Sequence, residues 1–302
     1  EGTVADYAPV LGDKGLALLN ELAEAAWKET ETPAAPSSPF DFSRYKLRSV
    51  LEPIAQIRGG LEALIAVKSR DLTSPRRYLE IATLYRKNRQ YAKAMEWAER
   101  GIAAFPNSDN TQLHEFVADE HHRRRRHDQA VQTIWPLYEN SPSLSAYITL
   151  RKHAERAGQW PDWRRKALDL ARAMPKRNPS PWDSPSQEHW SLAVEILSHE
   201  KLINEAWQEA QERGASTDQI LDLALRRRDE HPQDAIPPLR ARIDQCVQMV
   251  GENAYRDAAH HLRILRAVME RANQRDAFDK YLDAIRVAQR RKRNLLKRLD
   301  RL

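Results

Sequence analysis

The segment DEHHRRRRHDQA, residues 119–130, sets three histidines and four arginines within twelve positions. Imidazoles ligate metals and carry protons near neutral pH, and guanidinium groups grip phosphates and carboxylates in a fixed fork. A metal site needs ligands that converge on one point. His114, His121 and His122, with Glu115 and Asp119 near, could share one helix face, but no two histidines stand four apart around a glutamate as in HExxH. No metal and no cofactor is therefore expected. Arg123, Arg124, Arg125 and Arg126 are candidates for binding an anion or an acidic partner. The first reading of the run is a solvated helix end whose cations offset the helix dipole, with anion or acidic-partner contact as the alternative.

The second concentration is IRVAQRRKRNLLKRLDRL at the end of the chain. From Arg286 to Leu302 it carries eight Lys/Arg against one Asp. Arg290, Arg291, Lys292, Arg293 and Lys297 join the candidate anion- or partner-binding residues. Leu295, Leu296 and Leu299 continue the apolar stripe of Leu282 and Ile285, so a basic helix over 286–301 is expected to cap a helical array. Phosphate contact by its basic face is the alternative. A membrane partner is not expected, because the apolar face offers no Trp or Phe. His260 and His261 are adjacent on a helical pattern, so one ring faces inward and one outward and they do not make a joint metal site.

No phosphate-binding G-x-x-x-x-G-K-[ST], no G-x-S-x-G and no G-x-G-x-x-G is present, so an enzyme is not expected. The single cysteine, Cys246, excludes an internal disulfide and any zinc site built on two thiolates, and suits a reducing compartment. No apolar run of membrane-spanning length occurs, and the expectation is a cytoplasmic protein. The chain opens at Glu1 rather than methionine, which is compatible with further sequence upstream. The net charge of +6 permits acidic partners without demanding them.

These side chains need elements to hold them. Glycine is scarce, with 9 in 302 residues, and charged residues make up 30%. Together with the excess of Leu, Ala, Glu, Arg and Gln, that composition predicts an all-helical chain with solvated charged faces. DKGLALLNELAEAAWKE, residues 13–29, reads as an amphipathic helix with Leu16, Leu19, Leu22 and Ala26 on one face. The stretch TETPAAPSSPFDFS that follows is a linker, and PKRNPSPWDSPSQ, residues 175–187, is another. The division is therefore 1–43, an N-terminal helix and linker; 44–175, a repeat array; and 176–302, looser helical repeats with basic capping helices.

Between the linkers the pattern recurs, with stops at Pro106, Pro142 and Pro175, 36 and 33 residues apart. Twelve residues before each stop lie Ala94, Ala130 and Trp163, and three before those lie Tyr91, His127 and Trp160. A looser fourth unit carries Ala206. This is the tetratricopeptide rhythm of helix A, tight turn and helix B. The small residue lets the two helices approach, and the ring is expected to fill the space between neighbouring hairpins. The register aligns Arg89, Arg125, Gly158 and Lys201 at the turn, where glycine suits a left-handed residue. The run HHRRRRH then spans the end of helix A and the turn. Ser216 or Thr217 would cap a later helix, and three more follow at about 234–249, 253–272 and 275–300. Trp97, Trp135, Trp163 and Trp207 fall in helix B positions and read as core.

The segments around YLEIATLYRKNRQYAKAMEWAERGIAAFP, LHEFVADEHHRRRRHDQAV and AYRDAAHHLRILRAVMERANQRDAFDKYLDAIRVAQRRKRNLLKRLD resemble an uncharacterised bacterial helical-repeat domain. Similar segments occur in the C-terminal region of SWIM zinc-finger proteins and in proteins without the finger. The resemblance covers about the whole chain and is most specific over 70–170 and 253–300. In relatives the second turn looks like R-R-G-R-H-D-E-A; Arg125 stands here in place of that glycine. The resemblance implies no catalytic residue. SWIM fingers are associated with DNA or protein binding, but one cysteine cannot supply the finger.

The expectation is thus an all-α superhelix, an α-solenoid of tetratricopeptide-like hairpins with a C-terminal helical cap. It would act as a non-catalytic interaction scaffold whose concave surface, built from helices A, holds a protein or peptide. A nucleic-acid-associated protein using the basic turn 123–126 and the basic helix 286–301 is the alternative. The sequence sets neither the partner nor the oligomeric state.

Overall fold

The computed structural model describes residues 4–31, 42–106, 110–174 and 190–301. Most of both proline/serine linkers falls outside these residues. Among the described residues there are fifteen helices and no strand. Two units are distinguished, Glu1–Leu137 and Tyr138–Leu302.

The first unit opens with α1 (Val4–Glu31) against α2 (Phe42–Lys68). The predicted helix over 13–29 is the part of α1 that follows a bend at Gly12 (φ 59°); α2 bends likewise at Gly60 (φ 67°). Trp27 and Ala23 pack on Leu51 and Val67. Helices α3 (Pro75–Lys87), α4 (Tyr91–Ala104) and α5 (Thr111–Arg123) follow, and α6 (His127–Asn140) runs across the division. Helix α3 contacts both α4 and α5. Gly101 of α4 makes this closeness possible: a Cβ there would lie 2.6 Å from the Tyr78 Cβ and 2.9 Å from Leu113. Ala94 and Ala98 are fully buried beside Ile81. A charge cluster ties α2 to α3. Arg48, 6% exposed, meets Glu52 at 3.1 Å and Asp71 at 2.9 Å, and Lys68 bridges Glu52 and Glu80.

The second unit contains α7 (Leu144–Arg156), α8 (Trp160–Ala173), α9 (Leu192–His199), α10 (Ile203–Arg213), α11 (Thr217–Arg227), α12 (Pro232–Gln248), α13 (Glu252–Arg271), α14 (Arg275–Ala288) and α15 (Arg293–Leu299). From α7 to α11 each helix packs on the next in chain order, and the first helices α7, α9 and α11 also touch in sequence. Within each unit this is the α-solenoid class of stacked helical hairpins, since no single hairpin can bury its apolar face alone. Ser216 caps α11 in a capping box with Gln219, as its position at the start of an apolar pattern predicts.

The turns repeat one geometry. Arg89, Arg125, Gly158 and Lys201 have φ of 59°, 60°, 70° and 63°. In each turn the following N–H donates to the carbonyl five residues back: Gln90 to Tyr85, Arg126 to His121, Gln159 to Ala154 and Leu202 to Leu197. That hydrogen bond defines a Schellman helix end. Arg125 thus takes the left-handed conformation although it is not glycine. Asn273 (φ 56°), with Gln274 donating to Met269, makes α13 and α14 a further hairpin of the same kind.

Two expectations are corrected. The rings at the start of helix B do not all sit between hairpins. Trp160 packs edge-on to Tyr147 of its own helix A at 5.2 Å, and His127 pairs with His122 of its own helix A. Only Tyr91 reaches the next hairpin, beneath Arg123. The basic helix is also not continuous. The chain breaks at residues 289–292 between α14 and α15. The break lets α15 fold back on α13 and bury Leu295 and Leu299 in the same core as Leu262, Leu282 and Ile285, which one straight helix could not do.

Candidate functional site

The opening histidine and arginine run divides by role. Arg123 lies over the Tyr91 ring at 3.6 Å and donates from Nε to buried Glu120 at 2.9 Å. Arg124 donates to the Tyr91 carbonyl at 3.2 Å. Both clasp the preceding hairpin. Arg125 and Arg126 are exposed and make no side-chain ion pair among the described residues. His122 is buried, and its Nδ1 lies 2.8 Å from Nδ1 of His127, a bond in which one ring donates and the other accepts. His121 is held below the usual imidazole range by burial and by the charges of Arg126 and Arg124, against Glu99. His114 points back to the Asn110 carbonyl at 3.3 Å. Among the described residues no three His, Cys, Asp or Glu gather closely enough to hold a metal ion. His260 is exposed and His261 half-buried with its Nδ1 on the Asp257 carbonyl at 2.8 Å, the inward and outward arrangement that adjacent helix positions dictate.

The C-terminal basic residues divide as well. Lys292 points its ammonium at the carbonyls of Val247, Gln248 and Met249, at 2.5, 3.1 and 3.3 Å. It caps the end of α12, where orphan carbonyls need a cationic donor. Arg298 pairs with Glu252 at 2.5 Å. Arg290, Arg291, Arg293 and Lys297 are exposed and have no side-chain partner among the described residues.

A groove of about 580 Å³ lies in the second unit, along helices α9 and α11 with Leu144 of α7 at its edge. These are all first helices of their hairpins, so the groove occupies the surface formed by helices A. Val194 and Leu223 form an apolar floor, and Trp190 stands 44% exposed beside it. Trp190 is anchored twice. Its indole N–H donates to Glu195 at 3.2 Å. The next residue, Ser191, is locked by Gln219 of α11, whose amide nitrogen donates to the Ser191 carbonyl at 2.7 Å while its oxygen accepts from the Ser191 N–H at 2.9 Å.

Charge is distributed unevenly along this groove. Asp222 is paired with Arg226 at 2.9 Å, and Asp218 with Arg242. His199 and Lys201, at the opposite end of α9 from Trp190, are exposed and have no side-chain partner among the described residues. The groove therefore offers an aromatic face and apolar floor near one end and an uncompensated ammonium near the other. That arrangement can hold an extended chain segment bearing an apolar side chain and, further along, an acidic one.

In the same unit a part-buried ionic link joins hairpins. Glu200 accepts the Tyr147 hydroxyl at 2.8 Å on one oxygen and Arg164 at 2.6 Å on the other. Burial pushes the Glu200 carboxyl up, but the hydrogen bonds from Arg164 and Tyr147 and the Arg164 and Arg151 charges outweigh it and leave it below the usual range. Burial and the same carboxylate push the Tyr147 phenol well up. Arg172 and Glu209 repeat the link at 2.7 Å. The first unit has an opening of similar size beside α3, lined by Lys68, Arg76 and Glu80, but these side chains already pair with one another or with Glu52.

None of the groove residues stands out in the sequence as a site. One signal could have found Trp190: a tryptophan three positions after a proline/serine stretch and directly before a helix-capping serine.

No family model matches the chain, and no curated protein matches it. One chain of a solved structure described as Naa15/Naa10 bound to HypK-THB is similar at 14% identity and a TM-score of 0.39, over 93% of this chain and 43% of that one. A likeness of that size assigns neither function nor partner.

Proposed function

We propose that the protein is a non-catalytic interaction scaffold and that the groove along α9 and α11 holds an extended peptide segment of a partner protein. The carrying observation is the exposed Trp190, fixed by Glu195 and Gln219 beside an apolar floor, with unpartnered Lys201 beyond it. Aromatic side chains anchored at the edge of a partly apolar groove are the usual carriers of binding energy at protein interfaces. The ammonium of Lys201 supplies register, because a carboxylate opposite it is favoured and a like charge is penalised. The partner segment carries an apolar residue for Trp190 and an acidic residue for Lys201.

Peptide display against the full chain tests this. Selected sequences are expected to combine an aliphatic or aromatic residue with a downstream or upstream acid. Their affinity, measured by calorimetry, should fall at least about tenfold for Trp190→Ala, the range of an interface hot spot. Lys201→Glu should remove the preference for the acid. Selected peptides that bind Trp190→Ala and Lys201→Glu as well as the parent would overturn the assignment.

A further inference from the structure

The turn between α14 and α15 is strongly basic and takes no part in the groove. Five cations cluster there: Arg290, Arg291, Arg293, Lys297 and Arg301 are all exposed and without a side-chain partner among the described residues. The acidic groups that could neutralise them are engaged elsewhere. Asp283 and Asp300 lie at 3.2 and 3.7 Å from Arg286, and Glu252 pairs with Arg298.

The same place carries exposed aliphatic surface. Lys292 fastens the 289–292 turn to the loop that ends α12, through its bonds to the carbonyls of 247–249. In that loop Met249 is 56% exposed and Val250 is 85% exposed. Val287, in the last turn of α14 leading into the basic turn, is 73% exposed. Solvent-facing valines at a loop tip gain nothing from water, and no described residue covers them. Burying them in the acyl boundary of a bilayer gives that gain, and the flanking guanidinium groups meet phosphates at headgroup depth.

We propose that this tip, the 249–250 loop with the basic turn and α15, is a peripheral docking site for an anionic membrane surface. The charge complementarity is with acidic lipid headgroups, and the exposed valines distinguish this partner from nucleic acid, which needs the cations alone. The site does not depend on the peptide groove. It is only partly visible in the C-terminal segment, which supplies Val287, because Met249 and Val250 come from about forty positions earlier in the chain.

Co-sedimentation with vesicles decides it. The full chain is expected to bind vesicles of phosphatidylcholine mixed with phosphatidylserine and not vesicles of phosphatidylcholine alone. Combined Arg290→Gln, Arg291→Gln, Arg293→Gln and Lys297→Gln should weaken partitioning by about fivefold per charge removed. Combined Met249→Ser and Val250→Ser, which remove apolar surface without adding charge, should weaken it about tenfold or more, at an unchanged thermal midpoint, since both side chains are exposed in the free protein. Absence of binding to the acidic vesicles overturns the proposal. So does full binding by the serine variant together with equally tight, cation-dependent binding of duplex DNA, which would make the tip a nucleic-acid contact instead.

Discussion

Arg125 stands at φ 60°, one degree from Arg89 at φ 59°, at the same point of two successive hairpin turns. Both arginines do what glycine does at Gly158 of the next hairpin, and the turn hydrogen bonds are the same. The left-handed conformation costs a side-chain-bearing residue roughly 1–2 kcal/mol, which Schellman bonds and packing on both sides must offset. Arg125→Gly is therefore expected to raise stability, by about 0.5–1 kcal/mol after the greater unfolded-state entropy of glycine is subtracted. Gly158→Ala should lower it by about 1 kcal/mol. Chemical denaturation of the two variants checks both signs; a destabilised Arg125→Gly would show that the arginine side chain itself holds the turn.

Close helix approach in both units rests on small residues. Gly101→Ala puts a methyl group against Tyr78 and Leu113, and should destabilise by about 1–3 kcal/mol through overpacking. Ala94→Leu, Ala130→Leu and Ala206→Leu, each at a fully buried site, should do the same. Unchanged thermal midpoints across the set would show that the helices have room to separate.

Glu200 is expected to be the more sensitive member of its cluster. Glu200→Ala leaves Arg164 and the Tyr147 hydroxyl without their shared acceptor; the Arg164 side chain is 28% exposed, so water takes up part of the loss and the cost should be about 1–3 kcal/mol. Tyr147→Phe removes one hydrogen bond only, about 1 kcal/mol.

Stability should fall with acid in two steps. His121 and His261 are both lowered from 6.5, in each case first by burial, so the folded state favours their neutral rings. Their contribution is complete above 6.5 and is lost as pH falls below it through the folded values. Glu200, lowered from 4.5, contributes fully above 4.5 and is lost as pH falls through its own folded value. A thermal midpoint that is level above neutrality, declines below 6.5 and declines again below 4.5 is the expected profile. His261→Gln should reduce the first decline, leaving the part due to His121, and should not alter the second.

Lys292 and Arg293 are neighbours with unlike roles. Lys292→Met removes the donor from three carbonyls at the end of α12 and should cost about 1–3 kcal/mol. Arg293→Gln, at an exposed position without a side-chain partner among the described residues, should change the midpoint within about 0.5 kcal/mol. Equal effects of the two would contradict the capping role.

The helical hairpins were legible in the residues because their signals are local. Helical spacing of leucines, the alanine of helix B, the Ser216 cap and the aligned Arg89, Arg125, Gly158 and Lys201 all act within a few positions of one another. The fifth left-handed turn at Asn273 was legible in principle, but no proline stop follows α14 at the repeat spacing and Phe278 replaces the alanine of Ala94, Ala130 and Ala206, so the pattern is weaker there. Local pattern could not say that α15 folds back, because that depends on whether Leu295 and Leu299 find a core on α13.

By itself, then, the sequence determined the all-helical class, the hairpin register and the positions of the turns, since backbone propensity, capping and helical periodicity are properties of neighbours in the chain. The tertiary structure alone decided which charges are free. Four adjacent arginines look alike in sequence, yet Tyr91 and Glu120 hold Arg123, the Tyr91 carbonyl takes Arg124, and Arg125 and Arg126 face water. Trp190 joins a groove only because Gln219, twenty-eight residues on, clamps Ser191 beside it. Val250 joins a basic tip only because Lys292 reaches across to its loop. Coulomb attraction, hydrogen bonding and burial act through space over a few ångströms, and the chain distance between such partners carries no trace of them.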